Sequence, residues 1–268
     1  MFILEGRSDD HVRILLALAL SALAASTAFL IHWITLDGLF ASIVYGTVVL
    51  GLGGWLIAGL VLLFFITGSI LAKDRIVDIK DGSHTKTYST RFAIRRNGMQ
   101  VWSNGFWVAV FSVMWFLFQL NIFLVLAAAA MASATADTWA TELGTRKKGR
   151  TYLITNFTRV DPGTDGGISI KGTLAGIWGS LLIATAYLVI SEGFPMPYFS
   201  VVAISGFLGC LTDSYLGAIF QYETKNDDHP KTNWFNNQFE SHENANNAVN
   251  WMSTGIGAFF ALLLSQFI

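Results

Sequence analysis

Apolar residues run through this chain in long continuous blocks, and polar residues collect between the blocks. Unbroken runs of that kind predict helices that cross a bilayer, each needing roughly 20 apolar residues; strands of a membrane barrel would alternate instead. Residues 12–33 form the first predicted span. Residues 39–72 are too long for one, and Gly51, Gly53 and Gly54 sit in their middle, so two short helices or one broken helix are expected there. Residues 101–142 hold two spans divided at the polar positions Gln119 and Asn121. Spans over 174–190, 198–222 and 247–268 follow, the first two separated by a turn rich in Gly and Pro at 191–197. The expectation is an all-α polytopic membrane protein of seven or eight spans, in one domain, with no soluble domain and no repeat. The small residues near Ala25 suggest a signal peptide, but the stretch Glu5–Asp10 is acidic and the apolar run continues past Ala25, so a retained first helix is expected.

Composition agrees: hydrophobic residues make up 53% of the chain and charged residues only 13%, about half of what a soluble domain carries. Net charge is near zero and says little; its distribution says more. Of 17 Lys and Arg, seven fall between Lys73 and Arg96 and six between Arg146 and Lys171. The polar segments 73–97, 145–171 and 223–245 are each separated by two spans, so they share one face. Basic loops mark the cytoplasmic side, which places any chemistry there. A single cysteine, Cys210, excludes a disulfide framework and a cysteine-rich metal site. Nothing in the pattern points to nucleic acid; membrane lipids are the expected surroundings, and a homodimer is one arrangement open to the chain.

Polar groups inside apolar stretches are costly without a partner, which makes each a site candidate. Asp137, Thr138, Thr141 and Glu142 stand at the end of an Ala-rich helix, where Ala129, Ala132, Ala136 and Ala140 form a stripe that admits a close neighbour. Asp137 and Glu142 lie about 140° apart around a regular helix, so one compact metal site from both requires a distortion. Simple pairing with nearby Arg and Lys is the competing reading. Gly163, Thr164, Asp165, Gly166 and Gly167 form a turn able to expose N–H groups to phosphate oxygens, reinforced by a helix N-terminus near Ile170 that follows Ser169. An ordinary turn before a helix would look the same, and the segment is not a P-loop. Asp213 shares a helix face with Gly206, Gly209 and Gly217, with Gln221 two turns on; metal ligand, proton carrier and buried structural partner are all readings of it. Gln100 and Asn104 share a face at the mouth of a helix, with Arg95 and Arg96 just outside as a possible diphosphate clamp or a headgroup anchor. Asn246 is positioned to cap the last helix, with Asn250 on the same face. His84, His229 and His242 read as loop histidines without ligand spacing.

Five segments taken in order carry a more specific signal. They are Gly98-Met-Gln-Val-Trp-Ser-Asn-Gly105, Ala134-Thr-Ala-Asp-Thr-Trp-Ala-Thr-Glu-Leu-Gly144, Pro162-Gly-Thr-Asp-Gly-Gly-Ile-Ser169, Asp213-Ser-Tyr-Leu-Gly-Ala-Ile-Phe-Gln221 and Asn246-Asn-Ala-Val-Asn-Trp-Met-Ser-Thr254. Together they resemble the transmembrane protein 19 family, in which the plant and cyanobacterial phytyl-phosphate kinase activity is found. One departure is visible: where the family usually has an acidic residue before the segment leading to the Gln, this chain has Asn97-Gly98. The resemblance implies a membrane kinase that converts an isoprenyl monophosphate, of phytyl or geranylgeranyl type, to the diphosphate, using CTP or a related nucleoside triphosphate with Mg²⁺. It implies Asp137, Glu142 and Asp213 as the metal-organising, catalytic groups. Lys73, Arg95, Arg96 and Lys171 become phosphate clamps, and Gly163 to Gly167 nucleotide contacts. Gln100 and Asn104 would orient substrate, with Thr138, Ser169, Gln221, Asn246 and Asn250 completing the binding surface. Two rival readings share these residues: a cytidylyltransferase that forms a CDP-lipid, and a transporter built around Asp213 and the broken segment at Gly51 to Gly54.

Overall fold

The structure, a computed structural model, describes residues 8–73, 77–81, 84–88, 95–145, 149–191, 196–222 and 242–268. Seven helices among them are long and apolar enough to cross a membrane. They are α1 (Ser8–Leu30), α2 (Leu36–Lys73), α3 (Gly98–Phe118), α4 (Ile122–Gly144), α5 (Ile170–Ile190), α6 (Pro197–Phe220) and α7 (His242–Leu264), with a 3₁₀ turn at Ser265–Phe267. The expected all-α membrane class and the boundary between α3 and α4 are both found. The left-handed Gln119 ends α3 by donating its N–H to the Trp115 carbonyl.

The glycine-rich middle of α2 does more than break a helix. Gly54 has φ 76° and ψ −175°, and the chain reverses there. Gly38, near the start of α2, packs on the Arg96 carbonyl, while Gly68, near its end, packs on the Arg96 guanidinium. In a straight helix those two glycines would stand about 45 Å apart. Phe65 also returns to the cluster formed by Ile34 and Leu39. The arms 36–53 and 55–73 are each about 27 Å long, close to the thickness of a bilayer core. Counting the arms separately gives eight crossing segments. Both ends of α2 lie on one face, together with the ends of α3, α4, α5, α6 and α7 that flank the long polar segments.

Helix α4 is the one that lies inside. Of its most apolar window 72% is buried, whereas no other span exceeds 39%. The small residues expected to admit a neighbour do so on several sides. Gly176 and Gly179 of α5 press on the backbone of α4 at Thr135 and Ala136, Gly206 of α6 on Ala132, and Gly209 and Gly257 (α6 and α7) on Ser133. Dispersion between closely approached backbones replaces the hydrophobic effect as the packing force in lipid.

Two small sheets form within the polar segments between helices. β1 (Val77–Asp81) and β2 (His84–Tyr88) pair antiparallel. β3 (Thr151–Leu153) lies between β4 (Arg159–Val160) and β5 (Gly167–Ile168), antiparallel to both. Strands of two to five residues carry too little periodicity to be read from sequence.

Candidate active site

A polar cavity of about 320 Å³ opens at the loop-bearing face, among the ends of α2 to α7 and the segment 163–169. Each wall has a local cause. Ser169 caps α5, its Oγ accepting from Gly172 N at 3.1 Å, which fixes the helix start where the sequence predicts it. Gly166 has φ 74° and lies so close to Ala218 of α6 that a Cβ would overlap the Ala218 backbone. Gly217 meets it from the other side, so the turn is pressed onto α6 at two residues without side chains. Within the turn, Thr164 N and Oγ1 both donate to Asp161 O (3.2 and 2.8 Å), and Gly167 N donates to Thr164 O at 2.9 Å. Those two N–H groups hold the turn together, so the expected phosphate nest is smaller than five open amides.

Asp137 of α4 and Asp213 of α6 are half-buried neighbours inside this cavity. Ser253 of α7 donates to Asp213 Oδ2 at 2.8 Å. Asp165 lies on the loop side and accepts from, or pairs with, His242 Nε2 at 2.8 Å. Arg96 enters from the opposite wall. Its backbone is tied to the turn between α1 and α2, Arg96 N donating to Trp33 O and Thr35 N to Arg96 O, both at 3.0 Å. Its guanidinium lies 4.5 Å over the Phe64 ring. Burial pushes the group down to about 10, with Glu142 working in the opposite direction, so it stays cationic at neutral pH.

The structure brings together most residues singled out from sequence. Asp137, Glu142, Asp213, Arg96, Gln100, Asn104, Thr138, Gly163, Thr164, Asp165, Gly166, Gly167, Ser169, Gln221, Asn246 and Asn250 all line the cavity. Several expectations are corrected. Arg95 and the exposed Lys171 do not line it. The side chain of Lys73 and most of segment 223–245, including His229, lie outside the described residues, as does the side chain of His84. Asp137, Glu142 and Asp213 do not form one three-carboxylate metal cluster, and no group of three His, Cys, Asp or Glu suited to a metal occurs among the described residues. Helix α4 is regular throughout, with Asp137 beside Asp213, and the charge of Glu142 acts on both Arg96 and Asp137. Asn246 does not cap the last helix, because α7 begins at His242, a turn earlier. Gln100 has a structural share: its Oε1 accepts from Asn97 N at 3.2 Å and Asn97 Oδ1 accepts from Gln100 N at 2.9 Å, a capping box.

Sequence reasoning did not single out Ser253 and His242 for the site, nor Thr145, Thr151, Thr173, Ser214 and Cys210, which line the cavity. Hydroxyl side chains are common in membrane helices, and only spatial proximity distinguishes these. Among the described lining residues, four carboxylates (Asp137, Glu142, Asp165 and Asp213) face one guanidinium, Arg96. Such a wall repels phosphates unless cations accompany them, and two adjacent carboxylates repel each other unless a cation or proton lies between.

The matched family model covers residues 19–258, described as integral membrane protein DUF92. The chain belongs to this family. The resemblance carried by the five segments is thereby borne out at the level of the DUF92 membrane family. One relative is an uncharacterized membrane protein of Methanocaldococcus jannaschii, 31% identical over 186 residues, which span 69% of this chain and 74% of that protein. Another is the chloroplastic protein VTE6 of Arabidopsis thaliana, 30% identical over 139 residues, 52% of this chain and 37% of VTE6. Protein PGR of the same plant is 31% identical over 101 residues, 34% of this chain and 35% of its own length. The aligned part is thus little more than a third of each plant relative. No solved structure matches this DUF92 chain.

Proposed function

We propose that this DUF92 protein is a prenyl-phosphate kinase, which transfers the γ-phosphoryl group of CTP, or a related nucleoside triphosphate, to an isoprenyl monophosphate. A phosphate oxygen of the lipid bonds to the γ-phosphorus, the bond from that phosphorus to the β-phosphate bridging oxygen breaks, and the nucleoside diphosphate leaves with the electron pair. The acceptor is already ionised, so no strong base is needed, and positioning with charge neutralisation does the work. The reading draws on the resemblance to the transmembrane protein 19 family and on VTE6 among the relatives.

The observation that carries it is the pairing of Asp137 with Asp213 beside the Gly163–Gly167 turn and opposite Arg96. Two adjacent carboxylate oxygens suit Mg²⁺, which takes one or two carboxylates and lets substrate phosphates complete its shell. When bound, Mg²⁺ would neutralise charge on the transferring phosphoryl group. Asp137 and Asp213 hold that position, Ser253 fixes the orientation of Asp213, and Glu142 balances Arg96. Arg96 binds the lipid phosphate, and the turn with the N-terminus of α5 receives the nucleotide phosphates. The loop-bearing face is then the cytoplasmic one.

The test uses purified protein in nanodiscs with Mg²⁺, CTP and phytyl or geranylgeranyl phosphate, followed by mass spectrometry. Prenyl diphosphate with CDP, absent without Mg²⁺, is the expected result. CDP-lipid with pyrophosphate would replace the kinase by a cytidylyltransferase. Absence of turnover from folded protein would remove both.

A further inference from the structure

A second, larger cavity lies inside the bend of α2. It measures about 490 Å³ and runs between the two arms, closed by residues 20–28 of α1 on one side and by Val101 and Gly105 of α3 with Met131 of α4 on another. Its wall is almost wholly apolar, and room is made by small residues such as Ala24, Gly46 and Ala58. Trp55 and Leu23 at its edge are two-thirds exposed on the outer surface of the bundle, which in a bilayer is in contact with acyl chains. Along the arm 55–65 the slot is about 15 Å long. Two side chains, Arg96 and Gln100, line both this slot and the polar cavity. A slot that opens to hydrocarbon on one side and ends at a half-buried guanidinium on the other matches an amphiphile with one chain and an anionic head.

We infer that the slot between the arms of α2 and helix α1 binds the hydrocarbon chain of the lipid phosphate, with Arg96 marking the boundary between tail and head. This deepens the kinase reading and rests on the polar cavity being a lipid-phosphate site. Chain occupancy explains why α2 folds back at Gly54: the reversal creates a pocket that a straight helix lacks. It also explains the placement of the cavity's lone described guanidinium. Arg96 meets the phosphate as it arrives from the bilayer, while nucleotide phosphates approach from the loop side at Gly163–Gly167.

Labelling and kinetics test it separately. A prenyl phosphate of 15 to 20 carbons with a diazirine near the end of its chain is irradiated on wild-type protein in nanodiscs, and labelled peptides are mapped. Label confined to segments 20–28, 42–65 and 100–105 and to Met131, and removed by excess phytyl phosphate, is expected. Label spread over the outer faces of α5 and α6, or not competed, overturns the slot. Ala58→Phe and Ala24→Phe fill it, so the ratio of kcat/KM for a 20-carbon to a 5-carbon prenyl phosphate should fall at least tenfold in both, because each buried CH₂ counts toward binding. An unchanged ratio in folded variants overturns it equally. If the kinase reading alone fails, turnover is missing with every acceptor while competed labelling of the slot remains.

Discussion

Ser253 on α7 donates its hydroxyl to Asp213 Oδ2 on α6 at 2.8 Å. Its own Oγ also lies 3.1 Å from the Asn250 carbonyl, so the hydroxyl is fixed between two acceptors and one rotamer is selected. Asp213 in turn neighbours Asp137, which links three helices through one carboxylate pair. Partners of this kind orient a cation ligand, and removing them typically costs roughly 10- to 100-fold in affinity or activity. Ser253→Ala should therefore raise the Mg²⁺ concentration for half-maximal turnover about tenfold, with little change in KM for the nucleotide–metal complex at saturating Mg²⁺. Asp213→Asn and Asp137→Asn should each lower kcat far more. Mg²⁺ titrations of turnover check all three; wild-type titration curves in the Asp variants would remove the pair from the site.

Arg96 is the lone guanidinium among the described cavity residues, and it is held by its backbone, by the Phe64 ring and by room at Gly68. Arg96→Lys keeps the charge but loses the planar fork and the stacking, so it should not behave as a conservative change. A rise of about tenfold in KM for the lipid phosphate is expected, with kcat less affected. Gly68→Ala should do the same without touching the charge, since a Cβ there occupies the guanidinium position. Steady-state kinetics with varied lipid phosphate measure both. Equal KM values in wild type and both variants would place the lipid head elsewhere.

Gly163 and Gly166 both have positive φ, 87° and 74°, but their surroundings differ. A Cβ at Gly163 meets only Thr145 Cγ2 at 3.9 Å, whereas at Gly166 it overlaps the Ala218 backbone. Gly163→Ala should cost about 1–2 kcal/mol of backbone strain and retain nucleotide binding. Gly166→Ala should force the whole turn off α6 and abolish nucleotide binding. Nucleotide titration of the two purified variants, with thermal unfolding alongside, distinguishes strain from displacement.

Much of the fold was legible because bilayer thickness imposes a length on every apolar run, and because Gln119 and Asn121 interrupt one of those runs visibly. The site was legible where polar residues stood inside such runs: Asp137, Asp213, Asn104 and Asn250 are conspicuous there. What proximity alone decides was not. Nothing in the spacing of α4 says that the charge of Glu142 acts on Arg96, or that Ser253 and His242 come from the far end of the chain to meet Asp213 and Asp165. The helix break at Gly51–Gly54 could be expected, but its angle could not. A glycine with positive φ bends a helix by an amount set by its tertiary partners, here Ser112 against Gly53 and Tyr45 against Gly105. The apolar slot was invisible for the same reason, since residues that line it look like any lipid-facing helix.

The reversal at Gly54 is itself testable. A continuous α2 of 38 residues would be about 57 Å long, nearly twice the hydrocarbon thickness, and would carry its ends to opposite faces. The folded-back form puts them on one face. Cysteines introduced singly at Leu36 and Ala72 should therefore react with a membrane-impermeant maleimide from the same side of sealed vesicles, and one at Gln119 from the other. The native Cys210, buried but lining the polar cavity, is first replaced by Ala so that only the introduced thiols react. Labelling of positions 36 and 72 from opposite sides would show a straight span and dissolve the slot along with it. Gly54→Ala, which meets no neighbour within 4 Å, should cost about 1–3 kcal/mol through a backbone conformation (φ 76°, ψ −175°) that is essentially restricted to glycine, and lower the thermal midpoint without changing the labelled sides.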